Sequence, residues 1–279
     1  MGAGALKRPY VCGHSGQELE RLELQGAFYA GITRAFLGAA GLSRGMRVLD
    51  IGCGAGDVSF LAAEIVGPSG SVQGVDRARA PLRAARARAA RLGLRNVRFQ
   101  RGELSARTPG VDALIGRFVL MHQREPARAL RAAARSVRAG GIVAILESHM
   151  RGSVAGVHSW PHSPTYARIT GWIRKTLEAA GAHADMGLRL RQVFLEAGLP
   201  PPQLWLQARV DGGPDAAVYR YVAQSLLSML PLAHRFGVAR LTAGDVDRLE
   251  LQLRREVARS GGVLTSPLVV GACCRLRPR

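Results

Sequence analysis

The sequence predicts a doubly wound α/β fold, and three observations carry the prediction. Between Met46 and Glu147, short apolar runs alternate with amphipathic segments of about 10–15 residues. One run, MRVLDI, leads directly into a glycine-rich turn, Gly52-Cys53-Gly54-Ala55-Gly56. Carboxylates follow the runs in step: Asp50, Asp76 and Glu103. Parallel strands covered by helices on both faces read as unbroken apolar runs, and their connections are helical.

Before the first run, Ser15-Gly16-Gln17-Glu18 has the S-x-x-E spacing of a capping box. It predicts one helix over Gly16–Gln25 and a second over Phe28–Ala40, ended by Gly41. Strands are expected at Met46–Ile51, Ser71–Val75, Asn96–Gln100, Val111–Gly116 and Gly141–Glu147, with helices at Val58–Val66, Ala80–Leu92 and Pro126–Val137. On the helix at Ala80–Leu92, Leu82, Ala85, Ala89 and Leu92 share one face. Arg83, Arg86, Arg88 and Arg91 read as a solvated opposite face. After Glu147 the rhythm breaks: a loop holding Trp160, Pro161 and Pro164 leads to helices near Tyr166–Ala180 and Met186–Ala197. QLWLQARV (Gln203–Val210) and LVVGACCRL (Leu268–Leu276) are expected strands around a helical stretch, Ala216–Ser260. The expected organisation is an N-terminal helical cap over residues 1–45. A main domain follows over 46–279, with helical insertions at about 150–185 and 211–262.

A chain of 279 residues, 47% hydrophobic and 21% charged, can bury an ordinary core. Its 39 Lys plus Arg against 20 Asp plus Glu give a formal charge of +19, which invites a nucleic-acid reading. Only Lys7 and Lys175 are lysines, so the charge is almost all arginine and reads as a compositional, solvated surface. Cys12, Cys53, Cys273 and Cys274 have no CxxC spacing and are expected to be free thiols. Without an 18-residue apolar run or a signal-peptide core, the expectation is a soluble cytoplasmic protein without membrane or metal.

Glycines let the turn after MRVLDI approach a ligand closely, and the helix behind it offers free N–H groups. A dinucleotide site calls for G-x-G-x-x-G. Here the spacing is Gly52-x-Gly54-x-Gly56 and Asp57 takes the third position. Two carboxylates around the loop would repel a pyrophosphate and would suit a cationic ligand with an amino group. Asp76, at the end of the second run, could accept both ribose hydroxyls of an adenosine.

With these residues in view, the sequence resembles the class I S-adenosylmethionine-dependent methyltransferases over about residues 43–148. VLDIGCGAGD is similar to that family's first motif and VQGVD to its second-strand acid. VRFQRGEL, with Glu103 where Asp is commoner, GRFVLMHQ and VRAGGIVAILE are similar to the segments that follow. The resemblance implies a Rossmann-like seven-stranded sheet ordered 3-2-1-4-5-7-6, its last strand antiparallel, under a cap of added helices. It implies S-adenosylmethionine as cofactor. Gly52, Cys53, Gly54 and Gly56 would back it, Asp50 would hold its amino group, and Asp76 with Arg77 the ribose. Gly102, Glu103 and Leu104 would flank the adenine, and Arg117, Phe118 and Val119 the floor near the sulfonium. His122 would touch it or pack as a helix histidine.

Methyl transfer is an in-line displacement, for which positioning can supply about 7–11 kcal/mol and a general base about 3–5 kcal/mol. A hydroxyl acceptor would benefit from a base, and His149, just past the fifth run, is the candidate, with Glu147 beside it. His158 and His162 around Trp160 are further candidates for an acceptor pocket, with Tyr10, Gln25, Tyr29, Tyr166, Trp172, Tyr219 and Tyr221 from the added helices. The expected partner is a small-molecule methyl acceptor, and an acidic one would suit Arg117, Arg151 or Arg168; a homodimer stays open. Nucleic-acid methylation is the first rival, weakened because Gly116-Arg117-Phe118-Val119 stands where a [DN]-P-P-[YF] motif would. A non-transferring cyclase or binding protein of the same fold is the second.

Overall fold

The computed structural model describes residues 16–104, 108–151 and 158–278. Tyr10, Cys12 and Ser15 lie outside the described residues. The chain runs through α1 (Gly16–Ala39), β1 (Arg47–Ile51), α2 (Asp57–Val66), β2 (Ser71–Asp76), α3 (Arg79–Arg91) and β3 (Val97–Arg101). β4 (Val111–Arg117), a 3₁₀ turn (Leu120–His122), α4 (Pro126–Ala134) and β5 (Val137–His149) complete the alternating part. Then come β6 (Ser159–Trp160), α5 (Pro164–Ala179), α6 (Met186–Glu196), β7 (Gln203–Gln207) and β8 (Val210–Gly212). The chain closes with α7 (Ala217–Arg235), α8 (Ala243–Ser260), β9 (Val263–Thr265) and β10 (Leu268–Arg275).

Seven strands form one sheet in the order β3-β2-β1-β4-β5-β10-β7. Counted along this sheet alone, that is 3-2-1-4-5-7-6, as expected, and β10 runs antiparallel to both neighbours. β1 to β5 are parallel, so Asp50, Asp76, Glu103, Arg117 and Ser148 all emerge at one edge. The order reverses between β1 and β4, the crevice where open α/β sheets take ligands. Val48, Leu49 and Ile51 of β1 are each at most 1% exposed, which favours the fold by about 1.5–3 kcal/mol apiece.

Three expectations change. The N-terminal segment is one helix, because Gly26 is not a break: it is the point where α1 lies on Asp57, and a Cβ there would stand 2.5 Å from Oδ1 of Asp57. QLWLQARV is divided, with β7 joining the main sheet and β8 a three-stranded sheet of β6, β9 and β8. The arginine face of α3 is only partly solvated. Arg86 donates to the carbonyl of Phe99, and Arg88 pairs with Asp57 at 2.8 Å and donates to the carbonyl of Ala55 at 2.9 Å. No described helix is long and apolar enough to cross a membrane.

α1 joins the core through Phe28, Tyr29, Phe36 and Leu37, all buried. Phe36 lies over Gly271 of β10, where a Cβ would sit 2.5 Å from Cδ2 of the ring. Gly271→Ala is therefore expected to destabilise the fold by about 1–3 kcal/mol through overpacking. Urea denaturation would show it as a lower midpoint at unchanged slope.

Candidate active site

The glycine turn takes its shape from backbone that few side chains tolerate: φ is 63° at Gly52, 53° at Gly54 and 89° at Gly56. A Cβ on Gly52 would also collide with Val119. At Gly54 the nearest atom to such a Cβ is Cδ1 of Leu22, 3.9 Å away, so that glycine keeps space open on the cavity side. Asp76 holds the turn in place. Its Oδ2 accepts from the amide of Gly54 at 3.0 Å and its Oδ1 from the amide of Ala78 at 2.8 Å. A carboxylate has about four lone-pair positions, so two remain for a ligand.

Asp50 is buried at the end of β1, where Ser59 Oγ donates to it at 2.6 Å. Burial raises its pKa to about 7, against the pull of the Ser59 bond and of Arg117. A buried acid so raised is poised to gain from a nearby cation. Arg117 is half-buried, its desolvation lowers its pKa, and it donates to Thr33 of α1 at 2.9 Å. Phe118 follows in a left-handed conformation, φ 55°, unusual for a bulky side chain and costing on the order of 1–3 kcal/mol. Glu147 offsets this: its Oε1 accepts from the amides of Val119 and Leu120 at 2.9 and 2.6 Å and fixes the backbone after β4.

Asp50, Gly52, Cys53, Gly54, Asp76, Arg77, Gly102, Glu103, Leu104, Arg117, Phe118 and His122 line one cavity. Gly56 does not: it backs the turn against Phe60 and Phe99, where a Cβ would come within 2.9 Å of both rings. The cavity encloses about 1590 Å³, the space of its open mouth included. Its other half is built by α1, α5 and α7. There Met121, Met150, Ile173, Leu177, Val222 and Met229 form an apolar wall with Tyr29, Thr170, Tyr221 and Ser225. Arg21 and Gln25 of α1 also line it, joined by a 2.6 Å hydrogen bond.

His149 is not brought to this site. Successive strand residues point to opposite faces; Ser148 and Met150 line the cavity, whereas His149 packs beneath Gly187 of α6, its Nδ1 3.4 Å from the carbonyl of Asp185. Glu147 is buried and engaged with backbone amides, and burial raises its pKa to about 8. His149→Ala is thus expected to leave S-adenosylmethionine affinity and the transfer rate within about twofold. It should cost about 1–3 kcal/mol of stability by opening a cavity under α6, read by urea denaturation beside a binding titration.

Among the candidates from the added helices, Gln25, Tyr29 and Tyr221 reach the cavity. Tyr166 donates to the carbonyl of Thr265 and Tyr219 to that of Gly213, and Trp160 and His162 are exposed. Arg151 pairs with Glu178, and Arg168 lies over Trp172. Arg21, Arg88, Thr33 and the inward residues of α5 and α7 escaped sequence reasoning.

Residues 42–197 match a family described as a methyltransferase domain, and the chain belongs to that family. Its sheet order is the one implied by the resemblance to the class I S-adenosylmethionine-dependent methyltransferases. Over 76 residues it is 42% identical to nocamycin O-methyltransferase of Saccharothrix syringae, covering 27% of each chain. Over 69 residues it is 48% identical to aklanonic acid methyltransferase DauC of Streptomyces sp. strain C5, 25% of this chain and 30% of that one. The matches therefore span under a third of those relatives. Phosphoethanolamine N-methyltransferase 2 of Haemonchus contortus, solved with S-adenosylhomocysteine, shares the fold at TM-score 0.56 and 15% identity. That match covers 89% of this chain and 53% of the other.

Proposed function

We propose that the protein works in the cytoplasm and transfers a methyl group from S-adenosylmethionine to a small, largely apolar molecule bearing one acidic group. The observation that supports this reading best is the continuity of the cavity. Acids and glycines at the strand ends pass without a wall into the apolar half beneath α1, α5 and α7. When bound, the cofactor supplies an electrophilic methyl on its sulfonium.

The chain's own residues do the rest. Asp50 faces the cofactor's amino group, Asp76 its ribose and Glu103 with Leu104 its adenine, while Gly52 and Gly54 let backbone approach it. The apolar wall excludes water and sets the acceptor in line, which is the larger part of what the reaction needs. Of the three arginines considered for an acidic group, Arg117 alone lines the cavity.

Incubation with methyl-labelled cofactor and candidate acceptors tests the reading. Label in a product heavier by one methyl supports it. Cofactor bound but label retained would favour the cyclase or binding reading, and label in RNA the nucleic-acid one.

A further inference from the structure

We propose that the acceptor is an enol or phenol that reacts as its anion, its oxygen seated at a corner of Tyr29, Tyr221 and Arg117. This rests on the small-molecule reading above and narrows its substrate class.

The first step concerns what the acceptor half lacks. Among the described residues, the carboxylates that line the cavity are Asp50, Asp57, Asp76 and Glu103, all on the cofactor side. Among the described residues, the other half offers hydroxyls, amides, thioethers and the Arg21 guanidinium, none of them a general base, and His149 and Glu147 are turned away from it. His122 lines the cavity, but burial lowers its pKa to about 4, and so weak a base is poorly matched to taking a proton at neutral pH. An aliphatic alcohol would therefore keep its proton. An alkylammonium acceptor would have to shed a proton and, until then, sit in an apolar wall facing a sulfonium, two unfavourable terms.

The second step concerns what the corner supplies. Tyr29 and Tyr221 are both buried, packed edge to face at 5.5 Å, and both line the cavity. A phenolic hydroxyl can donate one hydrogen bond to an acceptor oxygen. Arg117 lines the same cavity, spends one of its five N–H groups on Thr33 and lies over the Phe118 ring. Such a corner favours negative charge, and burial makes that preference stronger than in water.

The balance is complete without a base. The acceptor's proton leaves to solvent on ionisation. An oxygen lone pair then forms the O–C bond as the C–S bond breaks, and its electron pair stays on sulfur in neutral S-adenosylhomocysteine.

The test is calorimetric titration of the protein loaded with S-adenosylhomocysteine, using three probes. These are 2-hydroxy-1,4-naphthoquinone, an enol ionised at neutral pH; its neutral 2-methoxy counterpart; and the cation 2-naphthylmethylamine. The hydroxy compound should bind at least about tenfold tighter than either other. Tyr221→Phe should bring the three within about threefold, with S-adenosylhomocysteine affinity unchanged. Tyr29→Phe repeats the test should the first variant misfold. Equal or tighter binding of the amine or methoxy probe, no binding of any probe, or a preference that survives both variants overturns the proposal. Failure to bind S-adenosylhomocysteine would instead strike the cofactor assignment.

Discussion

Asp76→Ala is expected to raise the dissociation constant for S-adenosylmethionine by at least about 100-fold. The carboxylate has two tasks. Towards the protein, it accepts from the amides of Gly54 and Ala78 and so holds the turn that opens the cavity. Towards the cofactor, on the placement proposed above, its two remaining lone pairs would meet the ribose hydroxyls. Hydrogen bonds to a charged group contribute about 1.5–3 kcal/mol each, so two lost bonds give about 3 kcal/mol or more, the stated factor. Asp76→Asn separates the tasks. One carbonyl oxygen survives, and with it either the amide bond or a ribose bond. Its affinity should fall between wild type and the alanine variant. Isothermal titration on the three proteins decides the matter, and equal affinities would remove Asp76 from the cofactor site.

That half of the site was legible in the sequence for a physical reason. A turn that must bend at Gly52, Gly54 and Gly56 with positive φ admits few other residues, and parallel strands end on one edge. An acid after each apolar run is therefore an acid at the crevice. The acceptor half left no such mark. Met150, Ile173, Leu177, Val222 and Met229 come from β5, α5 and α7, and an inward-facing apolar residue looks the same whether it meets core or ligand. Tyr29 and Tyr221, 192 positions apart, meet only in the fold. His149 shows the converse error. It is the last residue of β5 rather than a position past the strand, and strand alternation turns it beneath α6. The arginine face of α3 failed likewise: periodicity placed Arg88 outside, yet its length lets the head reach back to Asp57.

The second large effect concerns Asp50 and pH. Its folded pKa is about 7, raised by burial, against about 3.9 in an unfolded chain. Between these values the native state binds more protons than the unfolded one, so stability falls as pH rises from about 4 to 7. Three units correspond to about 4 kcal/mol as an upper limit. Glu147, raised to about 8, adds in the same direction up to that pH. Cofactor binding reverses the logic for Asp50. On the placement proposed above, an amino group and a sulfonium beside it would favour the carboxylate, so below pH 7 binding would expel its proton. Affinity for S-adenosylmethionine should therefore rise about tenfold from pH 5.5 to 7. At pH 6, titrations in buffers of different ionisation enthalpy should show close to one proton released. Asp50→Asn keeps an oxygen for the Ser59 hydroxyl but cannot ionise. It should bind the cofactor about 100-fold more weakly, release no proton and lose Asp50's share of the stability slope. A wild-type affinity flat across that range would mean that Asp50 answers Arg117 alone and never meets the cofactor.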